Sequence, residues 1–256
     1  MLKKIVLFLF SFLFLSSCAN KKDIFYYQDI EKNTPKPINY LANTIQINDI
    51  LFIKISALIP ETATPFNADQ SANNGGNMGN LQAFRLQGYL VAQDGTIVFP
   101  ILGSINVVGQ TIVEVQDLLQ KMLFDGGYVK DAIVSVRVIN NKVTVLGEVR
   151  NPGTFNFDEQ NLTLNQAIGL AGDLTLNGIR KDVLLIREVN GVRTFVNLDL
   201  TSSKWFDSPY YFVKQNDVII VNPNGPKVVS SGYLNSLGTV LGTLSFVITL
   251  ILLIQR

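Results

Sequence analysis

The sequence predicts an α+β protein: two small mixed-sheet units in the middle of the chain, followed by a C-terminal transmembrane helix. Three observations carry that expectation. Short runs of Ile, Val and Leu with period-two alternation recur between residues 45 and 221. Two capping boxes, Thr111-x-x-Glu114 and Thr163-x-x-Gln166, each open a stretch of helical periodicity. Residues 237–254 contain no charged side chain.

Residues 24–44 are polar, carry Pro35 and Pro37, and read as an extended lead-in. Residues 43–59 read as two short strands around an Asn48-Asp49 turn, with Ile45 and Ile47 on one face of the first and Leu51, Ile53 and Ile55 on one face of the second. Residues 60–80 are rich in Asn, Gly, Ala and Thr and read as a flexible surface loop. Their glycines lack the lysine, preceding strand and following helix of a phosphate-binding loop. Residues 84–105 read as a hairpin turning at Asp94-Gly95, with Pro100 ending its strand. The Thr111 box then opens a helix that buries Val115, Leu118, Leu119 and Met122, stops at Gly126-Gly127, and precedes a strand at 133–138.

A second unit starts with a strand at 142–147 and a turn at Asn151-Pro152-Gly153. The Thr163 box opens a helix with Leu164, Ala167, Ile168 and Ala171 on one face, closed by Gly172. Strands follow at 183–187, 194–198 and 218–221. One helix on a small mixed sheet is a β-grasp-like plan.

Composition excludes several kinds of chemistry. Lys and Arg total 21 against 20 Asp and Glu, without a basic run, which argues against a nucleic-acid partner. With no histidine and one cysteine, His-based triads, the usual zinc sites and dithiol chemistry are ruled out. Neither a cofactor nor a metal is expected. At 47% hydrophobic and 16% charged, the chain is too apolar for a soluble domain, and its two ends supply the surplus.

At the first end, Lys3 and Lys4 precede an apolar run at 5–15, too short to span a bilayer and suited to a signal peptide. The run stops at Leu15-Ser16-Ser17-Cys18, which resembles a bacterial lipobox and implies that Cys18 is lipidated and becomes the mature N-terminus. An incidental cysteine after a plain secretory signal is the simpler alternative. At the other end, residues 237–254 would run about 27 Å as a helix. Gly238, Gly242, Ser245 and Thr249 fall on one stripe of that helix, in a small-xxx-small pattern that allows close helix approach. The stripe reads as either a seam between copies or the lining of a lumen, against the plainer reading of a simple anchor.

The middle resembles two known domains. The run from Asp94-Gly95-Thr96-Ile97-Val98-Phe99-Pro100 to Gly109-Gln110-Thr111 is similar to the polysaccharide biosynthesis/export domain. Ile47-Asn48-Asp49-Ile50-Leu51 resembles its opening strand, where the family usually has Gly in place of Asn48. Val145 through Gly153-Thr154-Phe155, residues 164–172, and Asn216-Asp217-Val218-Ile219-Ile220-Val221 resemble an SLBB (soluble-ligand-binding β-grasp) domain. The layout is that of Wza-like outer-membrane polysaccharide export lipoproteins: signal peptide 1–17, lipidated lead-in 18–39, export domain 40–141, SLBB domain 142–224 and terminal helix 233–256.

The resemblance implies a non-enzymatic protein, lipid-anchored in the outer membrane with its soluble domains in the periplasm. It also implies a homo-oligomeric ring, by analogy an octamer, whose terminal helices form a barrel. The implied partners are the polysaccharide chain, membrane lipid and an inner-membrane polysaccharide copolymerase or tyrosine autokinase. Larger relatives carry two SLBB domains and a strongly amphipathic final helix; this chain shows one such domain and a mostly apolar helix. A structural or adhesive envelope lipoprotein is the alternative function. Tyr26, Tyr27, Tyr210 and Tyr211 suit either sugar stacking or packing, and Glu148, Arg150, Asp158 and Glu159 read as solvated charges rather than a catalytic pair.

Overall fold

A computed structural model of the protein describes residues 21–32, 34–38, 40, 42–67, 87–189, 191–231 and 237–254. Its architecture is mixed α/β. The strands are β1 (Ile50–Ser56), β2 (Tyr89–Leu90), β3 (Thr96–Phe99) and β4 (Gly103–Asn106), followed by helix α1 (Ile112–Asp125) and β5 (Ile133–Val138). Next come β6 (Lys142–Gly147), β7 (Gly153–Asn156), α2 (Leu164–Leu170), β8 (Gly178–Val189), β9 (Val192–Leu198) and β10 (Val218–Pro223). Helices α3 (Gly225–Ser230) and α4 (Leu237–Ile254) complete the order. The signal-peptide and lipidation expectations, Cys18 included, lie outside the described residues, as does residue 233.

The first unit forms because β1 alternates: Leu51, Ile53 and Ile55 are buried between α1 and the sheet. β1 lies between β2 and β5, antiparallel to both, with Ile53 opposite Val136. Both arms of the α1 capping box are made, Thr111 Oγ1 accepting from Glu114 N and Glu114 Oε2 from Thr111 N. The buried stripe is Val115, Leu119 and Leu123, one residue beyond the sequence reading, with Leu118 and Met122 at its margin.

In the second unit a five-stranded sheet runs β7-β6-β10-β8-β9, antiparallel throughout except where β6 and β10 run parallel. A parallel pair needs a long crossover, supplied here by residues 148–217, which include α2. The α2 box is also complete, and Leu164, Ala167 and Ile168 point into the core. That core gathers Val143, Val145, Leu185, Ile219 and Trp205.

Four local expectations change. Residues 43–47 form no strand among the described residues, only an isolated bridge from Thr44 to Thr111; Ile45 is buried while Ile47 is exposed. Asp94-Gly95 is a turn, with Asp94 Oδ1 accepting from Thr96 N and Oγ1, but it links strands of two different sheets. The hairpin partner of β3 is β4, reached through Pro100 and Ile101. Pro60–Ala63 is a helical turn that buries Ala63, followed by a buried Phe66, so the start of the expected surface loop is part of the core.

The transmembrane expectation is corrected. Helix α4 forms over residues 237–254, yet among the described residues no helix is long and apolar enough to cross a membrane. Eighteen residues rise about 27 Å against about 30 Å of hydrocarbon, and Gly238, Thr239, Gly242, Thr243, Ser245 and Thr249 dilute its apolar content.

Candidate functional site

The small-residue stripe is on α4. Gly238, Gly242, Ser245 and Thr249 are all exposed, and Thr249 Oγ1 bonds back to Ser245 O at 2.8 Å, satisfying its hydroxyl within the helix. The structure therefore leaves this stripe open to another surface.

The lead-in is not a free extension. It runs as a strap over the second unit, skipping the unit it precedes in sequence. Tyr27 N donates to Leu200 O at 3.2 Å and Gln28 N to Thr201 O at 2.8 Å. The Asp29 carboxylate accepts from Ser202 Oγ, Ser203 N and Ser203 Oγ at 2.6, 2.6 and 2.8 Å. Those hydrogen bonds hold its pKa down at about 2. The Tyr26 hydroxyl bonds Asp173, and burial pushes its pKa up; the Tyr27 hydroxyl bonds Asn165. Tyr27 also packs edge-on to Phe206 at 5.0 Å, so these tyrosines belong to the second core. Salt bridges Lys181–Asp23 and Lys36–Asp207, each 2.6 Å, pin the strap at two further points.

Inside the second unit, Arg187 and Asp217 form a buried pair. Arg187 Nε and Nη2 reach the Asp217 carboxylate at 3.0 and 2.6 Å, and the guanidinium donates to Pro209 O and Phe212 O. Burial raises the Asp217 pKa, and the guanidinium opposes that shift. Tyr210 lies beneath the guanidinium at 5.3 Å. Sequence reading missed this pair because its members are 30 residues apart, Arg187 on β8 and Asp217 just before β10.

Between the two units lies a cleft of about 650 Å³. Its walls come from the turn at residues 42–49, the start of α1, the end of β5, the loop at 157–161, and residues 188–189 and 214–215. Asp49 is 3% exposed; its Oδ2 accepts from Gln46 N at 2.9 Å and its Oδ1 has no partner. Burial lifts this carboxyl to about 6, with the Gln46 N–H pulling the other way. Across the cleft, the loop that carries Asn161 is tied to the first unit by Asn43 Nδ2, which donates to Gln160 O at 2.7 Å. Glu148, read as a solvated charge, accepts from Thr175 Oγ1 at 2.9 Å and braces a loop.

Comparison with known proteins matches this layout. Residues 40–139 fit the model of the polysaccharide biosynthesis/export protein family, and residues 142–196 fit the SLBB domain. The two matches adjoin and together take in more than half of the chain.

The chain carries a polysaccharide biosynthesis/export domain joined to an SLBB domain.

It is similar to two curated relatives, both named EPS I polysaccharide export outer membrane protein EpsA, from Ralstonia solanacearum and Ralstonia nicotianae. Each is 31% identical over 140 residues, which is 53% of this chain. The matched region is 36% of either relative's length, so the chain spans about a third of the proteins it resembles. The family resemblance read from the Asp94–Thr111 and Val145–Phe155 motifs is thereby borne out.

Proposed function

We propose that this protein is a non-enzymatic subunit of a homo-oligomeric ring at the outer membrane, through which an extracellular or capsular polysaccharide leaves the cell. The observation that carries this reading is the export domain at 40–139 adjoining an SLBB domain at 142–196. The outer-membrane export role printed for the Ralstonia relatives supports it. A conduit needs several copies, because one such chain cannot enclose a polymer. The exposed Gly238/Gly242/Ser245/Thr249 stripe supplies a surface on which copies pair, since small side chains let helix backbones approach.

Cys18 is the lipid attachment point in this reading. The first described residues of the strap, Lys21–Asp23, follow it by three positions in sequence. An inner-membrane copolymerase delivers the polymer to the ring.

Three measurements test the reading. Native mass spectrometry of the detergent-extracted protein is expected to show a closed oligomer, and a monomer would oppose it. Deleting the gene is expected to abolish surface polysaccharide, with recovery on complementation. Normal export in the deletion strain would leave a structural envelope role instead. Palmitate labelling is expected to vanish in Cys18→Ser.

A further inference from the structure

Buried oxygens that accept no hydrogen bond are costly, and native structures rarely keep them without a use. Among the described residues, two buried amide or carboxylate oxygens lack a partner, Asp49 Oδ1 and Asn161 Oδ1. They belong to different units and are 112 positions apart in sequence, yet both line the same inter-unit cleft. Each asks for a donor from something that enters between the two units.

The rest of the wall narrows the kind of donor. Six carboxamides face the cleft, from Asn43, Gln46, Asn141, Gln160, Asn161 and Gln215. Carboxamides offer a donor and an acceptor side by side, which matches hydroxyl groups that both give and take hydrogen bonds. Charge is nearly balanced, with Asp49, Asp158 and Glu188 against Arg137 and Lys214, and Glu188 is already bridged by Arg193 at 2.9 Å. Such a wall favours neither a polyanion nor a polycation. The volume, about 650 Å³, lies within the range of small-molecule sites.

We infer that the cleft between the export domain and the SLBB domain is a saccharide-binding site, in which hydroxyl groups of an uncharged sugar donate to Asp49 Oδ1 and Asn161 Oδ1. This rests on the polysaccharide-export reading and gives it a point of contact with the polymer. Both oxygens are covered in this conformation, so the sugar enters as the Asn43–Gln160 hydrogen bond opens. Contact at the junction would make polymer passage sensitive to the angle between the two units.

Saturation-transfer NMR on the full chain in detergent tests the site, with methyl glucoside, methyl galactoside and N-acetylglucosamine as probes. At least one sugar is expected to receive saturation. Its affinity is expected to fall about fivefold to tenfold in Asp49→Asn and in Asn161→Ala, the effect of one hydrogen bond. Asp49→Asn retains the acceptor for Gln46 N and so guards against misfolding as the cause. No transfer to any of the three sugars overturns the site, as does undiminished binding in both variants. Protection of cleft amides by calcium chloride but by none of the sugars also overturns it, in favour of a cation site. The export reading fails separately, on the gene-deletion result, so the two outcomes are distinguishable.

Discussion

Asp49 and Asp217 occupy the same position in two copies of one turn, but only Asp217 is paired with an arginine. Each follows an asparagine in the left-handed region, Asn48 at φ 70° and Asn216 at φ 62°. Each carboxylate accepts the backbone N–H three residues earlier, Gln46 or Lys214, and each immediately precedes a strand. Asparagine tolerates this backbone better than most residues, which suits Asn48 and Asn216 to these positions. Arg187 neutralises Asp217. The corresponding oxygen of Asp49 is covered and has no partner, and Asp49 lines the cleft.

Removing Arg187 is therefore expected to be severe. Arg187→Ala strands a fully buried carboxylate and frees two carbonyls, at a cost of about 3–5 kcal/mol. The double variant Arg187→Met, Asp217→Asn should recover part of that loss. Urea unfolding midpoints of the single and double variants check this, and equal losses would contradict it.

Asp49 makes stability depend on pH in the direction opposite to a paired carboxylate. Its folded pKa, about 6, lies above the ordinary 3.8, so folding favours the protonated form. That contribution is complete below the ordinary value and is lost as pH rises through about 6. Asp49→Asn cannot titrate. Its stability relative to the parent should rise by on the order of 2 kcal/mol between pH about 4 and about 7. Urea titrations at the two pH values measure the difference, and a constant offset would refute it.

The strap behaves in the reverse sense. Asp29 is held at about 2, below its ordinary value of 3.8. The hydrogen bonds it makes are fully available above the ordinary value and fail as pH falls through about 2. Asp29→Ala should expose the strap at neutral pH and speed trypsin cleavage at Lys32 several-fold, while the cores stay folded. Cleavage at the parent rate would show that Asp29 does not hold the strap.

Two glycine substitutions are expected to differ in sign. Gly147 has φ 88°, and a Cβ there would lie 2.0 Å from Val221 O, inside the parallel β6–β10 pair. Gly147→Ala should cost on the order of 3 kcal/mol. Gly169 lies within α2 with open space around it, so Gly169→Ala should stabilise by about 0.5–1 kcal/mol. Thermal melts of both variants decide the matter.

Much of this protein was legible locally. Thr111 with Glu114 and Thr163 with Gln166 make the capping boxes their spacing announced, because a cap involves residues three apart and little else. The alternation of Leu51, Ile53 and Ile55 marked the buried face of β1 for the same reason. The export and SLBB motifs lie in such stretches, so the family could be read as well.

Interactions between distant residues were not legible. A polar lead-in shows no periodicity, so nothing in residues 21–40 revealed that Asp29 reaches Ser202 and Ser203. Which strand pairs with β3, the parallel match of β6 to β10, and the Arg187–Asp217 pair all depend on where chain segments meet after loops close. For α4 the sequence determined a helix over residues 237–254, and among the described residues no helix is long and apolar enough to cross a membrane. The sequence thus determined the elements, the caps and the family. Tertiary structure alone decided the strap, the buried charge pair and the cleft that brings Asp49 and Asn161 together, because these arise from long-range packing and not from local spacing.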